Sequence, residues 1–179
     1  VLPVLGIAGI VNFMTIVDHL HFNTGGKMIK EKDLKKLHAE TPENERKYRV
    51  GNTFTYQGQK LGNMLCYVDA RYVQDKLDEV VGVGNWGSDF LEIKGNLFCR
   101  ITINFVRDDN TIGVVSKMDC GTESNVEKQK GEASDAFKRA AVQFGIGRDL
   151  YSLDSSKYRA EMTEFNGKWY PPKNWKPKK

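Results

Sequence analysis

The sequence of 179 residues is short of the groups that most enzymatic and secreted-protein readings need. It has three cysteines and three histidines. Cys66, Cys99 and Cys120 are odd in number, far apart and form no Cys-x-x-Cys pair, and Cys66 and Cys99 fall in strand-like runs. That pattern reads as buried free thiols in a reducing compartment rather than as disulfides or a zinc site. His19, His21 and His38 crowd toward the N-terminus with no acid or cysteine at ligand spacing, so no metal is expected. A phosphate loop of the Walker type is missing, and with it the basis for ATP-driven strand exchange; no cofactor is expected. Gly82-Val83-Gly84-Asn85 is the nearest approach to a nucleotide turn, but it follows a helical pattern and enters a strand, the wrong context. No internal repeat is visible. Val1 to Val17 is apolar, yet it is short for a membrane span, broken by Pro3, two glycines and Asn12, and has no basic leading region, so no membrane association is expected. Residues 1–27 read as an extension of doubtful origin or a peripheral arm, with a coding-like start at Met28.

Charge of one sign is also modest. With 27 Lys and Arg against 23 Asp and Glu, the net charge is +4, which permits a nucleic-acid partner without demanding one. The cations are uneven, since Lys168 to Lys179 carries five lysines and no acid. Asp119, Glu123, Glu127 and Glu132 resemble a nuclease carboxylate cluster only superficially; acids are favoured near a helix start in any case. No catalytic residue is assigned.

What is present is a strong pattern of folding. Ala133, Ala136, Phe137, Ala140, Ala141 and Phe144 form one apolar stripe at helical spacing, within a helix expected over 126–144. Gly145 and Gly147 close it. On its other side lie Lys128, Asp135, Lys138 and Arg139, with Lys130 at the edge of the stripe. By charge alone this is a solvated face, with Asp135 paired to Lys138 and Arg139 at i+3 and i+4. Leu97, Cys99, Ile101, Ile103 and Phe105 alternate with the residues between them, a half-buried strand bounded by Gly95-Asn96 and Asp108-Asp109-Asn110 as turns. Flanking strands are expected over 86–93 and 112–118, another over 60–69, and helices over 29–40 and 70–81. Residues 46–55 have no clear period and read as a loop or arm. The fold class is therefore α+β: an antiparallel three- to four-stranded sheet, a β-β-β-α core, with the long helix on one face. The domain is placed at 28–153, and 154–179 reads as a basic aromatic tail expected to be poorly ordered.

Several pieces in order carry a family resemblance. Gly58-Gln59-Lys60-Leu61 leads to Cys66-Tyr67-Val68-Asp69-Ala70-Arg71, then to Gly82-Val83-Gly84-Asn85-Trp86, then to Lys130-Gly131-Glu132-Ala133-Ser134-Asp135-Ala136-Phe137-Lys138-Arg139-Ala140-Ala141-Val142-Gln143-Phe144-Gly145. This succession resembles the Rad52 superfamily of single-strand annealing proteins, including phage recombinases of the Sak type, over roughly 53–153. The resemblance implies single-stranded DNA as partner, with a groove at the long helix and Lys130, Lys138 and Arg139 as DNA-binding residues. It implies a further cation at the start of the preceding helix, where Arg71 stands, and Lys60 in the matching Gly-Gln-Lys piece. It also implies self-association into a ring or filament, and a role in homologous recombination or repair. A single-strand binding protein or an exonuclease fits the same setting as a partner, in a phage or bacterial host cytoplasm, or in a nucleus if the source is eukaryotic. Val142 stands where eukaryotic relatives carry another arginine, Val83 where they carry an aromatic, and the link from Gly121 to Lys130 is shorter. These departures match the compact phage-type branch and leave fewer phosphate contacts per subunit, with the existence of a second, outer DNA site left open.

The alternatives are a coating module for RNA or duplex that does not anneal, and a metal-dependent nuclease. Tyr56, Tyr67 and Tyr72 read as strand or helix packing rather than as stacking platforms, and Trp86 reads as core.

Overall fold

The computed structural model describes residues 28–122 and 128–177, so the readings made for residues 1–27 lie outside the described part. A 3₁₀ helix over Glu31–His38 buries Leu37 and takes the place of the first expected helix. Strands β1 (Lys47–Tyr56) and β2 (Gln59–Tyr67) form a hairpin across Gln57-Gly58, whose φ values of 48° and 81° are those of a two-residue hairpin turn. Helix α1 (Ala70–Val81) follows, then an antiparallel meander of β3 (Trp86–Ile93), β4 (Asn96–Val106) and β5 (Ile112–Cys120), then helix α2 (Lys128–Gln143). Strand β6 (Arg159–Glu161) joins the free edge of β2, giving the order β1-β2-β6, and β7 (Thr163–Phe165) pairs with β8 (Lys168–Tyr170).

This is the expected α+β arrangement, with α2 lying across β4 and β5. Cys99, Ile101, Ile103 and Phe105 are buried beneath Ala136, Phe137, Ala140, Ala141 and Phe144, and α1 adds Val73, Leu77 and Val81 to the same core. The alanines matter because they let the helix backbone approach the sheet, and the close-packed interior then has no room for larger side chains there. Trp86 packs on Phe137, and its indole N–H donates to Asp78 at 2.7 Å. Asn85, in the glycine-rich turn, donates its side-chain amide to the Val81 carbonyl at 2.9 Å and so closes α1. That turn is a helix terminator. The three cysteines are free; burial pushes the Cys99 thiol up to about 11 and raises that of Cys66. Among the described residues no helix is long and apolar enough to cross a membrane.

Two expectations are corrected. Residues 47–56 are a strand rather than a loop or arm. A bulge between Val50 and Thr53 switches the faces, so Phe54 does not continue the side on which Tyr48 and Val50 pack, and the period of two is broken. The segment from residue 154 onward is ordered as far as it is described: β6 extends the hairpin sheet, and β7 and β8 form a small sheet of their own. Ala160 and Met162 are buried with Met64, Gly62 gives Met162 its room, and the Trp175 ring lies 5.3 Å from that of Tyr48. Strands of three residues are too short to show a period.

Candidate nucleic-acid interface

Between the β1–β2 hairpin and the side of α2 turned away from the core runs a cleft of about 930 Å³. One wall is given by Arg49, Cys66 and Tyr67; the other by Asp135, Lys138 and Arg139. The helical period fixes the second wall. Once Ala136, Ala140 and Phe144 are committed to the sheet, Asp135, Lys138, Arg139 and Val142 must look outward.

The cations on this wall are not paired with Asp135 as the helix sequence predicts. Asp135 turns instead to the chain entering α2 and accepts from the Thr122 amide at 3.1 Å and the Thr122 hydroxyl at 3.0 Å. The expected i+3 and i+4 pairs are replaced by this anchor, because Thr122 offers two donors at once. Lys138 reaches across the cleft, with its Nζ 5.5 Å from the ring centroid of Tyr67. Arg139 meets Asp119 of β5 through Nε at 3.3 Å, while 41% of its side chain stays exposed. Burial alone would lower the Arg139 pKa; the charge and hydrogen bond of Asp119, helped by Asp135, more than offset this and hold it above its ordinary value. Arg139 is thus oriented by one carboxylate with much of its surface open. A guanidinium fork and an ammonium point charge, adjacent on a rigid helix, suit phosphate oxygens.

Two further cations serve the helix itself. Arg148 donates from Nε and Nη2 to the Val142 carbonyl at 3.0 and 2.8 Å, and from Nη2 to the Gln143 carbonyl at 2.7 Å. Lys117 donates to the Gln143 carbonyl at 2.6 Å. Both satisfy carbonyls left over at the end of α2 and lie at the negative end of its dipole.

The cleft does not gather every residue that the sequence nominates. Lys138 and Arg139 line it. Lys130 lies in the first turn of α2, and its side chain is outside the described part. Arg71 is exposed in the first turn of α1 and is not among the lining residues. Lys60 sits near the turn end of β2, its Nζ 5.7 Å over the Trp169 ring. Arg49 is the wall residue that sequence reasoning misses, because the bulge hides β1; an Arg alternating with Tyr48 and Val50 was the available signal. Of the three tyrosines considered, Tyr67 lines the cleft, Tyr72 packs on the core and Tyr56 is exposed at the hairpin tip.

Of the carboxylates weighed as a nuclease centre, the two that are described are otherwise employed. Asp119 holds Arg139, and Glu132 accepts from the Leu97 amide at 3.2 Å; Glu123 and Glu127 lie outside the described residues. Among the described residues no three His, Cys, Asp or Glu side chains converge on a metal position.

A family model described as the Rad52/22 family double-strand break repair protein matches residues 31–169. The chain is also similar to the single-stranded DNA-binding protein DdrA of Deinococcus radiodurans, at 40% identity over 92 residues that cover 50% of this chain and 41% of that protein. DdrA of Deinococcus deserti is 41% identical over 92 residues, covering 50% of this chain and 43% of that protein. The chain spans about two-fifths of the length of these curated relatives.

Proposed function

This chain belongs to the Rad52/22 family of double-strand break repair proteins, and from that premise we propose that it binds single-stranded DNA in the α2 cleft and anneals complementary strands. The observation that carries the reading is the placement of Lys138 and Arg139 on the open wall of a cleft while Asp135, their sequence neighbour, is engaged by Thr122. Cations that grip phosphates leave the Watson–Crick edges of the bases free, which an annealing protein needs and a base-reading protein does not. The site residues of this reading are Lys138 and Arg139, with Arg49 opposite, and Lys130, Arg71 and Lys60 as further contacts along the strand.

The proposed activity is non-enzymatic and independent of ATP. Holding a strand extended removes part of the entropic barrier to pairing, so no chemical energy is spent. Self-association into a ring or filament, part of the same proposal, multiplies weak binding per subunit along a continuous path. A single-strand binding protein or an exonuclease is the kind of partner such a reaction involves.

Salt tests the phosphate-contact basis of this reading. The logarithm of affinity for an oligonucleotide should fall linearly with the logarithm of salt concentration, by about 0.7 per neutralised phosphate, and differ little between base sequences. A flat salt dependence, or strong preference for one sequence, contradicts it.

A further inference from the structure

Outside the cleft, the most unusual surface is the β7–β8 hairpin. Its turn, Asn166-Gly167, has φ values of 50° and 73°, the mirror-type geometry that ties two strands tightly. Both ends are fixed: Met162 is buried against β2 just before it, and Trp175 packs on Tyr48 just after it. Yet the hairpin turns its aromatic residues outward. Phe165 is 66% exposed, Tyr170 46% and Trp169 38%. The register pairs Phe165 with Lys168 and Thr163 with Tyr170, so Phe165, Lys168 and Tyr170 share one face of the ribbon, and Trp169 lies on the other under Lys60.

Charge identifies the occupant. Residues 154–179 hold seven Lys or Arg and three Asp or Glu, so this segment accounts for the whole +4 net charge of the chain. Lys168 shares the aromatic face, and Lys173 follows Tyr170 by three residues; both are exposed, while the ribbon's one acid, Glu164, pairs with Trp169 on the opposite face. Exposed rings interleaved with cations on a rigid ribbon match the stacking platform and phosphate contacts by which single strands are held. Diagonal positions on such a ribbon are about 7–8 Å apart, within reach of neighbouring bases of an extended strand.

We propose that the β7–β8 hairpin is a second contact for single-stranded nucleic acid, in which Phe165 and Tyr170 stack on bases while Lys168 and Lys173 hold adjacent phosphates. It rests on the reading of the chain as a single-strand binder, and differs from the cleft in chemistry. The cleft grips backbone; the hairpin takes base faces and still leaves base-pairing edges open.

The test compares the full chain, Phe165→Leu/Tyr170→Leu and Lys138→Ala/Arg139→Ala on a thymidine oligonucleotide and on an abasic one of equal length. Leucine keeps bulk and removes the aromatic face. The hairpin variant should melt as the unaltered protein does, bind the thymidine strand about tenfold more weakly, and bind the abasic strand unchanged. Unaltered affinity for thymidine, or equal losses on both strands, overturns the proposal. So does a loss of binding to anionic vesicles with none on oligonucleotides, which assigns the patch to a membrane surface. The cleft variant should weaken on both strands. If it binds both normally while the hairpin variant loses thymidine affinity, the hairpin stands and the cleft reading fails.

Discussion

Replacing Lys138 and Arg139 together by alanine weakens single-strand binding by about 100-fold and leaves the thermal melt within a few degrees of the unaltered protein. Charge-assisted hydrogen bonds contribute about 1.5–3 kcal/mol each, and about 1.4 kcal/mol is a factor of ten, so two phosphate contacts reach this size. The fold has little to lose. Both side chains stand on the wall of α2 away from the buried stripe, alanine is a better helix former than either, and the Arg139–Asp119 pair is partly exposed on both sides, where ion pairs add little. Fluorescence anisotropy beside a melting curve separates the two effects. The salt slope should also drop by about 0.7 for each cation removed. Unchanged affinity with an unchanged melt removes α2 from the site.

Gly121→Ala carries a large expected cost to the fold. A Cβ there collides with the Glu132 carbonyl oxygen and comes within 3.1 Å of the Ala136 amide nitrogen. Both are backbone atoms of α2, so no change of rotamer relieves the contact; the helix must move off the sheet. Gly121 is also pinned, because its amide donates to the Leu97 carbonyl at 2.9 Å, and the next residue, Thr122, is the anchor of Asp135. Overpacking of this kind costs about 1–3 kcal/mol, with backbone clashes at the upper end. Binding should weaken as well, since Lys138 and Arg139 ride on the displaced helix. Gly87→Ala, where a Cβ meets nothing within 4 Å, is the matched control and should be close to neutral. A urea midpoint for Gly121→Ala equal to that of Gly87→Ala contradicts the packing account.

Legibility in the sequence follows periodicity. Long elements with one buried face were legible. The stripe Ala136, Phe137, Ala140, Ala141, Phe144 and the alternation Cys99, Ile101, Ile103, Phe105 are buried against each other, as their periods require. What escaped were features without a period: β1, whose faces switch at a bulge, and β6 to β8, each three residues long. The site divides in the same way. The cleft positions of Lys138 and Arg139 follow from the stripe opposite them, whereas the pairing of Asp135 with Thr122 depends on how the chain enters α2, and the contribution of Arg49 depends on which strand of the hairpin faces the helix. Arg71 and Lys60 came from resemblance to neighbouring words in the sequence, and nearness in sequence to a motif does not bring a side chain into the cleft.

A cleft that grips phosphates should speed the pairing of complementary strands without nucleotide or metal. Two complementary oligonucleotides, one with a donor dye and one with an acceptor, mixed with excess protein in a chelating buffer free of ATP, measure it directly. Donor fluorescence should fall faster than in protein-free mixtures, both strands should remain uncut, and the acceleration should be lost with Lys138→Ala/Arg139→Ala. Pairing no faster than without protein, at every ratio of protein to DNA, contradicts it and leaves a protein that coats single strands without annealing them.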